Sequence, residues 1–300
     1  MTSSLIAIIG PTASGKSALA IELASELGHA EIVSADAMQL YRGMDIGTAK
    51  LSSEDQGGIP HHLLSVVEPT DELTAVEYRE LFDAAVADIG GRGKSVIVAG
   101  GSTLYLAAAL DEMQFAPTDP KVRAELEAKA KLIGNLEMHA LLAKKDPAAA
   151  AKIPASNLRR VIRALEVVEI SGQSFAASLP APNYRRPTKQ LGILVERELL
   201  RERIEERVRG MWSEGLVSEV EGLLKRYPKL SKTARVAIGY QQAAAQLRGE
   251  LTEEQAISET VQLTQRYAKK QMTWFKRDER IVWLDSSEDL LSAALDVIRL

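Results

Sequence analysis

The sequence predicts an α/β fold in which a parallel sheet carries helices on both faces and an all-helical domain is inserted into it. Short apolar runs alternate with helical patterns along most of the 300 residues. A glycine-rich turn separates the first apolar run from the first helix. Residues 117–187 are rich in helical sequence and contain no strand signal. We therefore expect a core domain of residues 1–116 and 188–300 and an insertion domain of residues 117–187.

The first part of the chain alternates strands and helices. Leu5–Ile9 is a short apolar run that ends at Gly10, which is typical of a buried parallel strand. A helix follows over Ser17–Leu27, with leucines on one face and Gly28 as its stop signal. The next elements expected along the chain are a strand at Glu31–Ser34, a helix at Ala75–Ile89 and a strand at Ser95–Ala99.

The insertion has a marked beginning and end. Asp119 is suited to cap a helix, and Pro120 suits its first position. The helical pattern continues to about Glu169, and the segment Leu179–Pro187 is rich in turn residues. The chain then returns to the sheet, with a strand at Gln190–Val195, helices at Glu198–Trp212 and Glu253–Lys276 and a closing strand at Arg280–Leu284.

Composition excludes several classes of protein. There is no cysteine, so disulfides and thiolate chemistry are excluded. No apolar run approaches the roughly 20 residues of a membrane helix, and the first residues do not form a signal peptide. We expect a cytoplasmic, monomeric protein with no membrane partner. The net charge of −4 divides into −9 for residues 1–150 and +5 for residues 151–300. The basic half suits a polyanionic partner, although solvated helix faces explain these counts equally well.

The glycine-rich turn matches the P-loop pattern. Its residues are Gly10, Pro11, Thr12, Ala13, Ser14, Gly15, Lys16 and Ser17. The glycines let backbone N–H groups turn toward phosphate oxygens, and the helix N-terminus adds its positive dipole end. Lys16 can neutralise the terminal phosphates, while the Ser17 hydroxyl can hold a Mg²⁺ ion that bridges them. The core is therefore P-loop NTPase-like and binds a diphosphate or triphosphate.

The acidic residue expected near such a loop follows the second strand. The strand at Ser95–Ala99 ends in glycines and Ser102, whereas Asp36 follows the strand at Glu31–Ser34. Since the carboxyl ends of parallel strands form the ligand crevice, Asp36 and Ser102 should lie near the phosphate loop. Asp36 can order a metal through water, accept a proton from a nucleophile, or cap a helix. Two function classes remain open: a small-molecule kinase, and a transferase with diphosphate as leaving group.

Several longer blocks carry a resemblance to one family. The blocks are GPTASGKS at 10–17, SADAMQLYRGMDIGTAK at 34–50, IPHHLL at 59–64, GGSTLY at 100–105, RRVIRALEV at 159–167, IGYQQ at 238–242 and AKKQMTWFKRD at 268–278. In these blocks the chain resembles the tRNA dimethylallyltransferases, also called isopentenyl-diphosphate:tRNA transferases. The resemblance implies transfer of a dimethylallyl group from dimethylallyl diphosphate to N6 of the adenosine 3′ of the anticodon, position 37.

The resemblance also implies a role for particular residues. The phosphate loop would hold the diphosphate of the prenyl donor with Mg²⁺, and Asp36 would be the general base toward the adenine amine. Ser102 stands where the family usually has a threonine that contacts the nucleoside. Arg123 is similar to an arginine that reaches the reaction centre. Contacts with the tRNA anticodon stem-loop are implied for Asp36, Ala37, Met38, Gln39, Ser102, Arg123, Arg159, Arg160, Val161, Ile162 and Arg163.

The chain departs from the family pattern at four places. Ala37 replaces a serine, Ser102 replaces a threonine, Arg159 replaces a glutamine, and Gln265-Arg266 inverts the common order. None of these changes removes a group that the reaction needs. They bear on the details of substrate recognition.

Two further features have alternative interpretations. Adjacent His61 and His62 could suggest a metal site, but no cysteine or further histidine lies nearby, so hydrogen bonds in the core or the crevice are favoured. Trp274 and Phe275 lie among lysines and arginines, where they could stack on bases. Met272 and Phe275 are spaced for one helical face, so core packing is at least equally favoured for one of the two rings.

Overall fold

The computed structural model describes residues 5–113, 115–175 and 183–299, which form six strands and twelve helices. The strands are β1 (Leu5–Ile9), β2 (Ala30–Ser34), β3 (His61–His62), β4 (Ser95–Gly100), β5 (Thr188–Leu194) and β6 (Ile281–Asp285). The helices are α1 (Lys16–Leu27), α2 (Ala75–Gly91), α3 (Thr103–Leu110), α4 (Pro120–Lys145), α5 (Pro147–Ala150), α6 (Leu158–Ser171), α7 (Arg197–Ser213), α8 (Leu216–Arg226), α9 (Lys232–Arg235), α10 (Tyr240–Leu247), α11 (Glu253–Phe275) and α12 (Leu290–Arg299).

The strands form one parallel sheet in the order β3-β2-β4-β1-β5-β6. This sheet confirms the predicted α/β fold class, and each expected strand lies within two residues of its expected position. The sequence did not reveal β3, because this edge strand has only two residues and neither is strongly apolar. His61 and His62 pair there with Ile32 and Val33 of β2.

Helices cover both faces of the sheet. On one face, alternate strand residues such as Ile6, Ile8 and Ile32 form a buried cluster with residues of α1 and α12. The intervening residues point to the opposite face, where α2 contacts β2 and β4. There Tyr78 and Phe82 of α2 are 0% exposed. Apolar packing on both faces explains why the strands read as continuous hydrophobic runs.

The described residues form two compact units. The core unit contains those up to Asp111 and from Tyr184 onward, and the helical unit contains those between Glu112 and Asn183. The helical unit thus begins five residues before the predicted 117 and ends four residues before the predicted 187. Residues 179–182 of the expected exit segment lie outside the described residues.

The chain leaves and rejoins the core unit at adjacent positions. Asp111 and Tyr184 form an antiparallel bridge within the core unit. Next to them, the Glu112 N–H donates to the Asn183 carbonyl over 2.8 Å. Arg280 donates to the Asp111 carboxylate over 2.8 Å, and its guanidinium stacks on the Tyr184 ring at 3.9 Å. Arg280, which immediately precedes β6, therefore links this bridge to the last strand of the sheet.

The helical unit has its own core, in which α4 packs against α6. Asp119 caps α4 as predicted, since its carboxylate accepts from the Lys121 and Val122 N–H groups, and Pro120 occupies the first position. Gly134 interrupts α4 with a φ of 82°, a conformation that glycine adopts without strain. Among the described residues of both units, no helix is long and apolar enough to cross a membrane.

Candidate functional site

The phosphate loop connects β1 to α1 and leaves the helix N-terminus open. Gly15, with a φ of 95°, precedes the first helical residue, and no side chain of the described residues caps it. The first N–H groups of a helix have no partner within the helix, so these donors remain available. The first turn carries no acidic residue. Open N–H groups and a positive dipole end make this terminus suited to a phosphate group.

Lys16 and Ser17 add polar groups to this terminus. Lys16 Nζ donates to the Pro11 carbonyl over 2.6 Å. Burial and the nearby Arg207 guanidinium lower the pKa of Lys16 to about 8, against the opposing effect of Asp36. Ser17 is exposed. Ser14 Oγ is buried and has no hydrogen-bond partner among the described residues, so the loop holds an unsatisfied hydroxyl.

Asp36 and Ser102 lie at the carboxyl ends of β2 and β4, as predicted. Asp36 Oδ1 accepts from the backbone N–H groups of Met38, at 2.9 Å, and Gln39, at 3.4 Å. Its other oxygen, Oδ2, has no hydrogen-bond partner in the described part of the chain. Ser102 Oγ accepts from the Ala37 N–H over 2.8 Å. The carboxylate therefore has one oxygen fixed by the backbone and one available as a proton acceptor.

The two strand ends meet closely because β4 ends in glycine. A Cβ atom at Gly100 would lie 2.3 Å from the Ala35 carbonyl oxygen, so only glycine allows this approach. The Ala35 N–H donates to the Ala99 carbonyl, and the Ser102 N–H donates to the Ala35 carbonyl. The strand predicted at Ser95–Ala99 is followed by glycines instead of an acidic residue. These glycines bring Ser102 beside the Asp36 segment.

A cavity of about 320 Å³ collects most of the predicted site residues of the core unit. The predicted residues that line it are Thr12, Lys16, Ser17, Asp36, Ala37, Met38, Gln39 and Ser102. Ala13, Ser14 and Gly15 border a separate open groove of about 530 Å³ on the other side of the phosphate loop. We call the cavity of about 320 Å³ the site cavity. Its polar end combines an anion-binding helix terminus with a carboxylate.

Sequence reasoning missed Arg207 of α7, which borders both the site cavity and the groove. Arg207 Nη1 lies 3.4 Å from Thr12 Oγ1, and Nη2 lies 3.5 Å from the Thr48 carbonyl. Burial lowers the pKa of Arg207, and the Asp36 carboxylate opposes this effect. No carboxylate forms an ion pair with it among the described residues, so this cation is available to an anionic ligand. Eight other arginines and glutamates surround it in the α7 sequence, and nothing in that pattern distinguishes it.

Two residues of α11 were also missed. Gln271 is buried and hydrogen-bonded to the phosphate loop, whereas Tyr267 is partly exposed at the cavity. Burial raises the pKa of Tyr267, as does the Asp36 carboxylate, against the effect of a bond to Ser102. Gln271 lies within the AKKQMTWFKRD block at 268–278 and Tyr267 immediately precedes it, but the sequence drew attention to the aromatic and basic residues of the block. Phe275 is 0% exposed and Trp274 is 36% exposed, so Phe275 is the ring that packs in the core.

An apolar wall completes the site cavity. It consists of side chains from α7 and from the segment after α9: Ile204, Val208, Met211, Val236, Ala237 and Ile238. Ile204 and Val208 are 2% exposed and Met211 is 9% exposed. An apolar wall in the same cavity as phosphate-binding groups suits an amphiphilic ligand, with a charged head and a hydrocarbon chain.

Arg123 and Arg163 belong to the helical unit, where both bind the buried Glu166. Glu166 is 0% exposed and accepts from Arg123 Nη2 over 2.6 Å and from Arg163 Nη1 over 2.8 Å. Burial alone would raise the pKa of Glu166, but these cations and Thr118 lower it to about 2. Arg163 also donates to the carbonyls of residues 116 and 117. The sequence did not predict this ion-pair network.

The predicted RNA-contact segment of α6 divides into two faces. Val161 and Ile162 are 0% and 8% exposed and pack in the core of the helical unit. Their side chains lie away from the surface, because a helix cannot present all of five consecutive residues to one surface. Contact between residues 159–163 and tRNA stays a prediction. Arg159 and Arg160 are exposed. These two remain the surface cations of the segment.

His61 and His62 make hydrogen bonds at the edge of the sheet. His61 Nδ1 lies 2.8 Å from the Ile59 carbonyl, and His62 Nε2 lies 2.7 Å from the buried carboxylate of Glu31. Burial lowers the pKa of His61. In the described part of the chain, no three histidine, aspartate or glutamate residues form a cluster that could hold a metal.

The fold and site define a P-loop α/β protein whose cavity combines an anion-binding helix terminus with a carboxylate, and the comparisons assign its family. The family model described as IPP transferase matches residues 39–278. The chain belongs to this family.

Named relatives extend over almost the whole chain. The tRNA dimethylallyltransferase of Kineococcus radiotolerans is 47% identical over 300 residues, which cover 98% of this chain and 94% of that protein. The tRNA dimethylallyltransferase of Thermobifida fusca is 48% identical over 301 residues, with coverage of 99% and 94%.

Solved structures are similar as well. The tRNA isopentenylpyrophosphate transferase of Bacillus halodurans has a TM-score of 0.72 and 35% identity, and the match covers 99% of this chain and 95% of that one. A eukaryotic dimethylallyltransferase acting on tRNA has a TM-score of 0.80 and 27% identity, with coverage of 94% and 74%.

Proposed function

We propose that this protein transfers the dimethylallyl group from dimethylallyl diphosphate to N6 of adenosine 37 of tRNA and releases diphosphate. The observation that carries the proposal is the shared site cavity. It contains an open anion-binding helix terminus, the Asp36 carboxylate with one oxygen available, and an apolar wall. The relatives named above as tRNA dimethylallyltransferases support the same activity.

The donor is bound through both of its parts. The N–H groups at the start of α1, Lys16 and Arg207 hold the diphosphate, and the apolar wall accommodates the five-carbon chain. The Thr12 N–H is already bound to Gln271, so the donors for phosphate begin after it in the loop. In this arrangement the leaving group lies among positive charges before the reaction begins, which stabilises the charge that it gains.

Mg²⁺ fits the residues present. Ser17 Oγ is exposed, has no hydrogen-bond partner among the described residues, and shares the site cavity with Asp36. Mg²⁺ commonly binds one or two protein oxygens together with substrate phosphates and water, so few protein ligands suffice. Ser17 would hold the ion against the diphosphate, with Asp36 available through water. When bound, the ion neutralises charge on the departing diphosphate.

The transfer itself forms one bond and breaks one. The adenine N6 forms a bond to C1 of the dimethylallyl group, and the bond from C1 to the diphosphate oxygen breaks. Asp36 takes the proton that N6 loses, through the oxygen that the backbone does not hold. Ser102 positions the Asp36 segment through the Ala37 N–H, and its serine hydroxyl suffices for this bond.

The anticodon stem-loop of tRNA is the acceptor in this proposal. A loop adenine can be unstacked and inserted into a cavity of this kind, where its edge is recognised by hydrogen bonds. The exposed cations Arg159 and Arg160 provide contacts to RNA phosphates. A role for Arg123 in the reaction rests on the resemblance alone, and within the helical unit its guanidinium binds Glu166. The proposal takes the protein to act as a monomer.

The test uses purified protein, unmodified tRNA, Mg²⁺ and dimethylallyl diphosphate, followed by mass spectrometry of the nucleosides. N6-dimethylallyladenosine should form with the native chain. With Asp36→Asn the product should fall by at least about 100-fold while the donor still binds, because the proton acceptor is lost. The kinase alternative predicts consumption of ATP on a small acceptor with no modified nucleoside, and that result would reject the proposal.

A further inference from the structure

Gln271 of α11 joins two distant parts of the core unit with the two ends of its amide. Gln271 Oε1 accepts from the Thr12 N–H over 3.1 Å. Gln271 Nε2 donates to the Gly101 carbonyl over 2.8 Å. The side chain is 4% exposed, and its partners lie 259 and 170 residues away along the chain. One buried amide thus bonds to two separate turns at the carboxyl edge of the sheet.

One of these turns belongs to the donor side of the proposed active site and the other to its acceptor side. Thr12 is the third residue of the phosphate loop, which contains Lys16 and binds the donor. Gly101 immediately precedes Ser102, whose hydroxyl holds the backbone beside Asp36 on the acceptor side. Gln271 therefore connects the part that holds the leaving group with the part that takes the proton.

The packing around this amide leaves it little freedom. A Cβ atom at Gly101 would lie 2.4 Å from Gln271 Nε2 and 3.0 Å from the Gly10 carbonyl oxygen. The adjoining turns of α11 are fixed in the core, where Ala268 is 2% and Phe275 is 0% exposed. A rigid helix thus holds the amide, and any shift of the phosphate loop relative to the end of β4 would break a hydrogen bond or create a clash.

The chemistry of the amide matches this task. An amide offers an acceptor and a donor from one planar group, which a carboxylate or an ammonium cannot do. It also carries no charge, so it adds no repulsion toward a diphosphate in the neighbouring loop. A glutamate at this position would accept from Thr12 but present a negative charge to the Gly101 carbonyl.

We propose that Gln271 is a positioning residue, which fixes the distance between the phosphate loop and the Gly101–Ser102 turn and so aligns the donor with the acceptor. This inference rests on the proposed function. Misplacement of reacting groups by about 1 Å can cost 100-fold in rate, even when both substrates still bind. Loss of the amide should therefore lower kcat far more than it raises either KM.

The test compares Gln271→Met with the native chain in steady-state prenyl transfer, with the concentration of folded enzyme measured by circular dichroism. Methionine keeps the length of the side chain and removes both hydrogen bonds. We expect kcat per folded enzyme to fall by about 10- to 100-fold, with less than about a threefold change in KM for donor or tRNA. The matched control is Gln190→Met, which removes another buried glutamine, 5% exposed, whose Nε2 donates to Tyr184 and Asp278 outside the site cavity. It should lower the Tm by a similar amount and leave kcat within about twofold.

A second variant keeps the test decisive if Gln271→Met does not fold. Gln271→Glu retains the acceptor for Thr12, loses the donor for Gly101 and adds a charge, so both a lower kcat and a higher KM for the donor are expected. Unchanged kcat per folded enzyme in either variant would overturn the inference, as would an equal fall in the Gln190→Met control. Failure of the native chain to form the product would instead reject the proposed function.

Discussion

Arg207 supplies a cation over the phosphate loop without any ion pair in the described part of the chain. Hydrogen bonds to charged groups contribute about 1.5–3 kcal/mol. We therefore expect Arg207→Gln to raise the KM for dimethylallyl diphosphate by about 10- to 100-fold, with a smaller effect on the KM for tRNA. Initial rates at varied donor concentration measure this effect. Arg201→Gln, on the same helix but paired at the surface with Glu198, is the control and should leave both values unchanged. An unchanged donor KM in Arg207→Gln would assign the diphosphate to other cations.

Glu166 is a buried carboxylate that binds two arginines of the helical unit. Its removal leaves Arg123 and Arg163, whose side chains are 43% and 27% exposed, without their shared partner, and the loss of hydrogen bonds between charged groups costs about 1.5–3 kcal/mol. Glu166→Gln should therefore destabilise the helical unit by about 2 kcal/mol. Urea unfolding of the full chain, followed by hydrogen exchange within α4 and α6, measures the change. Glu169→Gln, which breaks the more exposed pair with Lys145, should cost less than about 1 kcal/mol. Equal effects of the two variants would contradict the assignment.

At the scale of elements, the 3₁₀ turn Ile46–Thr48 lines part of the site cavity, and contacts with α8 and α10 keep it in place. Glu219 of α8 accepts from the Asp45 N–H, at 3.1 Å, and the Ile46 N–H, at 2.9 Å. Tyr240 of α10 donates to the same carboxylate and packs on Gly47. The turn, α8 and α10 are distant in sequence, and their contacts together form this part of the cavity lining.

Gly47 is the point of closest contact in this arrangement. A Cβ atom there would lie 2.4 Å from the Tyr240 ring and 2.9 Å from Leu216. Gly47→Ala should cost about 1–3 kcal/mol of stability and reduce prenyl transfer, because the turn must move toward the site cavity. Thermal unfolding and initial rates measure the two effects. The control Gly91→Ala lies near the end of α2 with open space around its Cβ, and it should be neutral or slightly stabilising. A neutral Gly47→Ala would show that the turn is not tightly held.

At the scale of the whole molecule, Glu31 joins the edge of the sheet to its helical layer. Its buried carboxylate binds His62 of β3 and both Arg92 and Lys94 of the segment between α2 and β4. The Arg92 hydrogen bonds lower the pKa of Glu31 to about 2, assisted by His62 and Lys94 and opposed by burial. Because the folded pKa lies below the unfolded value, the stabilisation is complete above about pH 4.5 and is lost as the pH falls toward 2.

Replacement of Glu31 should therefore have a pH-dependent effect. Glu31→Gln should lower the free energy of unfolding by about 2 kcal/mol at pH 7, and the difference from the native chain should shrink at pH 3. Urea titrations at the two pH values provide the measurement. Glu26→Gln removes an exposed carboxylate of α1 and serves as control, with a change below about 0.5 kcal/mol at either pH. A deficit for Glu31→Gln that is equal at both pH values would contradict the linkage.

Local patterns predicted the sheet and the phosphate loop, because five strands and α1 are defined by apolar runs, glycine stops and a continuous motif. The edge strand at His61–His62 could not be predicted, since two residues carry no periodicity and pair only through the folded sheet. Asp36 and Ser102 were found because parallel strands bring their carboxyl ends together. Arg207 and Gln271 were missed because contacts across more than 150 residues place them at the loop.

The adjacent exit and return of the chain at Asp111 and Tyr184 have a consequence for how this protein can diversify. The antiparallel bridge between them holds the two ends of the helical unit together, and both residues of the bridge belong to the core unit. Closing such a loop costs only about 0.6 kcal/mol more each time its length doubles. Helical turns that carry neither Arg123 nor the pair Arg159 and Arg160 can therefore be gained, lost or exchanged in this unit while every strand of the sheet keeps its register.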